Sequence, residues 1–186
     1  MKIQITQNNL NRALGLLSRV ASSRTPLPIL ANILLKASDN KLELAATNLE
    51  VAITHSANGK INEEGAVTVP AKLLHEFVAQ LPKDSTVDLV FKKTKLFVNA
   101  GSYSSHMQGA TADDFPALPK IAGGASVEIK GDDLKAALQR TMLAASHDET
   151  RPVLCGIYFH TNGGKLYIAA TDGYRLAEVA LADVET

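Results

Sequence analysis

Residues Lys41–Asn48 read KLELAATN, and residues Lys165–Asp172 read KLYIAATD. The two octets lie 124 positions apart, and the likeness extends well beyond them. At a constant shift of 124, without gaps, Ile5 meets Ile129, Leu10 meets Leu134 and Ala13-Leu14 meets Ala137-Leu138. Further along, Pro28 meets Pro152, Leu30 meets Leu154 and Ile33 meets Ile157. Residues 3–53 give 14 identities in 51 positions. A fixed register of that length predicts a duplicated domain of about 120 residues, a repeat from which the rest of the reading follows.

Around the first octet the pattern is itself doubled. KIQIT (2–6) alternates as a strand does. In the stretch 8–21, Leu10, Ala13, Leu14, Leu17, Val20 and Ala21 fall on one face of a helix, with Asn8 or Asn9 as its N-cap. ILANILLKAS (29–38), KLELAAT (41–47) and EVAITHSA (50–57) read as three strands, the first two joined at Asp39-Asn40. Past Gly59-Lys60 and Glu63-Glu64-Gly65 the order restarts. AVTV (66–69) is a strand and Pro70 takes a first helical position. Leu73, Leu74, Phe77, Val78 and Leu81 form a stripe that Pro82 ends. TVDLVF, KLFVNA and YSSHMQGA supply three more strands. The expected architecture is α+β: strand–helix–three strands, twice, with helices packed on antiparallel sheets.

Asp113–Ser126 (DDFPALPKIAGGAS) has the Pro and Gly content of a connection, after which VEIK (127–130) and a helix restart the order. The expected organisation is a complete domain over 1–121, a linker over 122–126 and the first half of a second domain over 127–186. A half unit leaves sheet edges and apolar faces uncovered. Either the sequence is a piece of a longer protein, or another chain completes the half.

Lys+Arg and Asp+Glu number 19 each, so no global field selects a polyanion. A lone cysteine, Cys155, excludes an intrachain disulfide, fits a reducing compartment and reads as a buried strand residue in VLCGIYF. The N-terminal stretch lacks the apolar core of a secretory signal, and PLPILANILL is too short and broken to span a membrane. A cytoplasmic protein is expected. His55, His75, His106, His147 and His160 are scattered without metal-ligand spacing. Asp113-Asp114 read as turn and cap groups, and TNGGK (161–165) as a hairpin turn. No enzyme, metal or cofactor is expected.

Local charge says more. Residues 1–38 hold Lys2, Arg12, Arg19, Arg24 and Lys36 and no acid. Arg12 and Arg19, seven apart, share a helix face with Asn8, Asn11, Gly15, Ser18 and Ser22, a face that suits a polyanion held weakly. In TDGYRLAEVAL (171–181), Asp172-Gly173 reads as a type I′ turn between strands, followed by Tyr174 and Arg175 as candidate partner anchors. The matching corner, Thr47-Asn48-Leu49, lacks the glycine.

RTPLPILANILL, TVPAK, DDFPALP, TRPVLCGIYF and AATDGYRLA, in that order along the chain, resemble the bacterial DNA sliding clamp family, the β subunit of DNA polymerase III. The resemblance implies a homodimeric ring of three-domain protomers around duplex DNA, a processivity factor that reads no sequence and has no catalytic site. It places Arg12, Arg19, Arg24 and Arg140 toward DNA, with Asp148 and Glu149 in a nearby loop. It implies a pocket for short peptides of polymerase, clamp loader and repair proteins at Leu154, Thr171, Gly173, Tyr174, Arg175 and Leu176. It also implies a subunit contact through an edge strand at Tyr103, Ser105 and Met107 and the helix after Pro70. The competing expectation is a protein-interaction module that completes its half domain with another chain and encircles no DNA.

Overall fold

A computed structural model describes residues 1–21, 27–38, 40–118 and 127–183. The chain forms two compact units, Met1–Lys120 and Ile121–Thr186. In the first, β1 (Lys2–Thr6) leads straight into α1 (Gln7–Leu17). A 3-10 turn at Pro28–Ala31 precedes β2 (Asn32–Ser38), β3 (Lys41–Thr47), β4 (Ala52–Asn58) and β5 (Lys60–Glu63). Then follow β6 (Gly65–Pro70), α2 (Ala71–Gln80), β7 (Thr86–Lys92), β8 (Lys95–Ala100) and β9 (Tyr103–Gln108).

The two halves of this unit exchange strands. One sheet runs β5-β1-β7-β8-β9 and the other β4-β3-β2-β6, all antiparallel. Thus β1 pairs with β7 of the later half, and β6 pairs with β2 of the earlier half. Neither half can close its sheet alone. Leu10, Leu14, Leu17, Leu35, Leu44, Leu74 and Leu89 are fully buried in the core that results. Gly109 sits so close to β6 that a Cβ would lie 2.7 Å from a Val67 methyl, so no side chain fits there.

Several expectations are corrected. α1 stops at Leu17 and not at Ala21, its N-cap is Thr6 and not Asn8 or Asn9, and the Gln7 amide donates to the Ser85 carbonyl at 2.8 Å. The expected strand 29–38 begins only at Asn32, because Pro28 opens a 3-10 turn. Pro70 ends β6 and caps α2 instead of starting it. Leu73 leaves the predicted stripe and is 56% exposed. β5 (KINE) carries a single apolar residue and shows no alternation; it is a strand because β1 offers it a partner.

The second unit comprises α3 (Gly131–Thr141), 3-10 turns at Met142–Ala144 and Pro152–Cys155, and the antiparallel sheet β10 (Tyr158–Asn162), β11 (Lys165–Thr171) and β12 (Leu176–Asp183). Leu166, Ile168 and Ala170 are buried. Gly163 and Gly164, at φ 57° and 75°, make the expected turn between β10 and β11. VEIK, however, is no strand. Its counterpart β1 pairs with β5 and β7, and among the described residues of the second unit no strand lies beside it. Cys155 is exposed at the end of a 3-10 turn, repeating the geometry of Pro28–Ala31, so the buried-strand expectation fails.

Candidate nucleic-acid and peptide-binding surfaces

The solvent side of α1 carries Asn8, Asn9, Arg12 and Leu16, and Arg19 follows in the turn beyond the helix. Neither Arg12 nor Arg19 forms an ion pair among the described residues. Two of the small neutral residues turn elsewhere. Ser18 Oγ is 3.4 Å from His75 Nδ1 of α2, and a Cβ at Gly15 would lie 3.6 Å from His75 Nε2. Gly15 and Ser18 thus face α2 rather than open solvent. The face is not wholly free of acids either, since Asn8 donates to Asp84. Arg140 is exposed in the last turn of α3, where a cation opposes the helix dipole favourably. Arg24 lies outside the described residues.

The corner after β11 is a four-residue loop, Asp172–Arg175, because Thr171 pairs with Leu176. The expected two-residue type I′ turn is therefore replaced by a side-chain-built one. Asp172 Oδ1 accepts from the Tyr174 and Arg175 amides at 2.9 Å each. Thr171 Oγ1 accepts from the Gly173 amide at 3.1 Å and donates to the Arg175 carbonyl at 2.7 Å. Arg175 Nε bonds Asp172 Oδ2 at 2.9 Å. The Tyr174 and Arg175 amides and the Arg175 charge hold the Asp172 carboxyl below its ordinary pKa. Gly173, at φ 94°, supplies the left-handed residue.

The first unit builds the same corner without a glycine. Asn48 Oδ1 accepts from the Glu50 and Val51 amides, and Thr47 Oγ1 accepts from the Leu49 amide and donates to the Val51 carbonyl. Leu49 adopts φ 77°. The difference expected between the copies is one of strain, not of architecture.

Around the second corner lies a cavity of about 300 Å³ lined by Leu154, Tyr174 and Arg175 and also by His147, Asp148, Arg151 and Asp172. Thr171 and Gly173 shape its rim through the turn. Leu176 opens β12 and is 70% exposed, and Tyr174 is 97% exposed. Sequence reasoning missed the loop 147–151 as a wall. Its signal was Asp148, whose carboxylate accepts from the Thr150 hydroxyl and amide, which lower its pKa and tie the loop into a turn.

β9 is an edge strand of its sheet. Tyr103 is 51% exposed and Ser105 is half-buried, but Met107 is buried at 7% and its side chain belongs to the core. Met107 can reach a partner only through its backbone.

A duplicated α+β domain with open antiparallel sheets and paired helices defines the sliding-clamp class. The DNA polymerase III subunit beta of Pseudomonas aeruginosa superposes with a TM-score of 0.93 at 33% identity, over 100% of this chain and 51% of that one. The sliding clamp of Bartonella birtlesii, solved with griselimycin bound, gives 0.92 at 35% identity, over 98% and 50%. Residues 1–119 match the N-terminal domain of the DNA polymerase III beta subunit and residues 128–185 its central domain, and the chain belongs to that family. The Beta sliding clamp of Synechococcus elongatus is 39% identical over 96% of this chain and 48% of its own length. The chain thus spans about half the length of the relatives it matches.

Proposed function

We propose that this chain serves in a non-catalytic DNA polymerase processivity factor, a homodimeric ring that encircles duplex DNA and tethers the replicative polymerase and other proteins. The observation that carries the reading is the match of both units, in order and over the whole chain, to solved clamp subunits. Residues 1–121 serve as a complete clamp domain, 122–126 as a linker and 127–186 as the first half of the next. Topology holds the DNA, so its contacts need only be loose and sequence-blind; exposed Arg12 and Arg19, without an ion pair among the described residues, together with Arg24 and Arg140, suit phosphate oxygens.

The cavity at Leu154, Tyr174 and Arg175, framed by Thr171, Gly173 and Leu176, takes an extended peptide. β9 meets its counterpart subunit by strand pairing at Tyr103, Ser105 and the Met107 backbone, which covers an otherwise open edge. No cofactor is needed, and the work is done in the cytoplasm. The test uses the protein as its gene encodes it, loaded on circular DNA by its clamp loader. Changing Arg12, Arg19 and Arg24 together to Ala should speed loss from linear DNA and weaken loading. Unchanged loading and retention would sink the DNA assignment.

A further inference from the structure

The sheet β5-β1-β7-β8-β9 has a second face, turned away from the core, and its registers set one row of side chains across four strands. Lys2 pairs with Val90, Val90 with Phe97 and Phe97 with His106. Along β7 and β8 the core takes Val87, Leu89, Leu96 and Val98, so Val90 and Phe97, which alternate with them, point to the other side. Neither belongs to the core cluster, and both are half-buried on the outer face. The Phe97 and His106 rings lie 5.9 Å apart between centroids, tilted by 35°.

In the next row Lys92 pairs with Lys95, and Lys95 with Gln108. Like charges directly opposite cost stability. Lys93, in the turn between them, adopts φ 56°, a conformation that suits glycine or asparagine better. Lys2, Lys92 and Lys95 are exposed, and none forms an ion pair among the described residues. The neighbouring acids are engaged elsewhere. Glu63, opposite Lys2 on β5, lies 3.8 Å from the Met1 ammonium, and Asp88 accepts from the Gln4 side-chain amide at 2.8 Å. A pair of rings on a solvent face, bordered by lysines that repel one another, fits a ligand that is both flat and negative.

We propose that this face binds single-stranded nucleic acid, with a base stacked against Phe97 and His106 and the adjoining phosphates on Lys2, Lys92 and Lys95. Ammonium groups act on phosphates as point charges and aromatic rings accept any base, so the contact is blind to sequence. An acidic polypeptide would satisfy the lysines but leave the rings without a flat partner. Strand pairing at the β9 edge uses backbone groups in the plane of the sheet and leaves this face open. The inference goes beyond the ring reading and does not rest on it, since α1 and its arginines take no part.

Binding is read by fluorescence anisotropy with a short labelled oligothymidylate at low salt, on the protein as its gene encodes it. Lys92→Gln with Lys95→Gln should weaken binding and flatten the dependence of log affinity on log salt by about 0.7 for each phosphate released. Phe97→Leu keeps an apolar side chain in place and should cost about fivefold or more in affinity at an unchanged salt slope. Arg12→Ala with Arg19→Ala should leave the affinity for this probe as it was, which separates the face from the duplex assignment. With 5-bromodeoxyuridine in the strand, irradiation should link it to Phe97 or His106. No binding, a cross-link elsewhere, or an affinity unmoved by the lysine and phenylalanine changes overturns the proposal. So does a polyglutamate of equal length that competes as well as the oligonucleotide.

Discussion

Leu49 and Gly173 occupy the same place in two copies of one turn, and only the glycine is at ease there. An L-residue in the left-handed region costs roughly 1–2 kcal/mol, while a glycine loosens the unfolded chain by about 0.4–1 kcal/mol. Leu49 is 62% exposed and loses little burial on removal. Leu49→Gly should therefore stabilise the first unit by up to about 1 kcal/mol, read as a rise in urea midpoint at unchanged slope. Gly173→Ala should do the opposite by about 1 kcal/mol, and no atom lies within 4 Å of the added Cβ to blur the result. The sequence showed the Thr-Asn and Thr-Asp pairs but not that both build one turn, because the bonds run from side chain to backbone and leave no periodic trace.

The same corner titrates. The Asp172 carboxyl sits below its ordinary value of 3.8 because the Tyr174 and Arg175 amides donate to its charged form. A depressed folded pKa gives stability that is present above the ordinary value and lost as pH falls through the folded one. Amide protection at Tyr174 and Arg175 should hold from neutrality to about pH 4 and fall below it. Protection unchanged down to about pH 2 would refute that account.

Among the elements, α2 tests the reading of an apolar stripe. Leu74 is fully buried and Leu73, its neighbour, is 56% exposed. Leu74→Ala should cost about 2–5 kcal/mol and Leu73→Ala within about 0.5 kcal/mol, measured by the same denaturant titration. A large cost at Leu73 would mean that the helix is rotated. If α2 meets another subunit, Leu73→Ala should instead raise the dimer dissociation constant. Helix and strand identities in the first unit were legible because KIQIT, TVDLVF and KLFVNA alternate against a core and α1 repeats its leucines at helical spacing. KINE and VEIK were not. KINE becomes β5 because β1 offers an edge, and VEIK stays unpaired because no described strand lies beside it. A strand is a property of a pair, and single-chain periodicity sees one member only.

At the scale of the whole molecule, the repeat announced the fold before any element was placed, while the surfaces were only partly visible. Arg12 and Arg19 were read correctly as exposed, but Gly15 and Ser18 serve the packing against α2. If the arginines touch phosphates, Arg12→Ala with Arg19→Ala should flatten the dependence of log affinity on log salt by about 0.9 for each phosphate left unneutralised. A slope equal to that of the parent protein would remove them from the DNA interface. The position of β1 has a further consequence, in time. It is made before every other strand of its sheet, yet it lies inside that sheet between β5 and β7. At about 5–20 residues per second, roughly 5–20 s pass between the synthesis of Lys2 and that of Lys92. Throughout that interval the emerging chain holds a strand with no β7 to pair with, so nascent molecules are most exposed to misassociation before the ribosome reaches the end of β7.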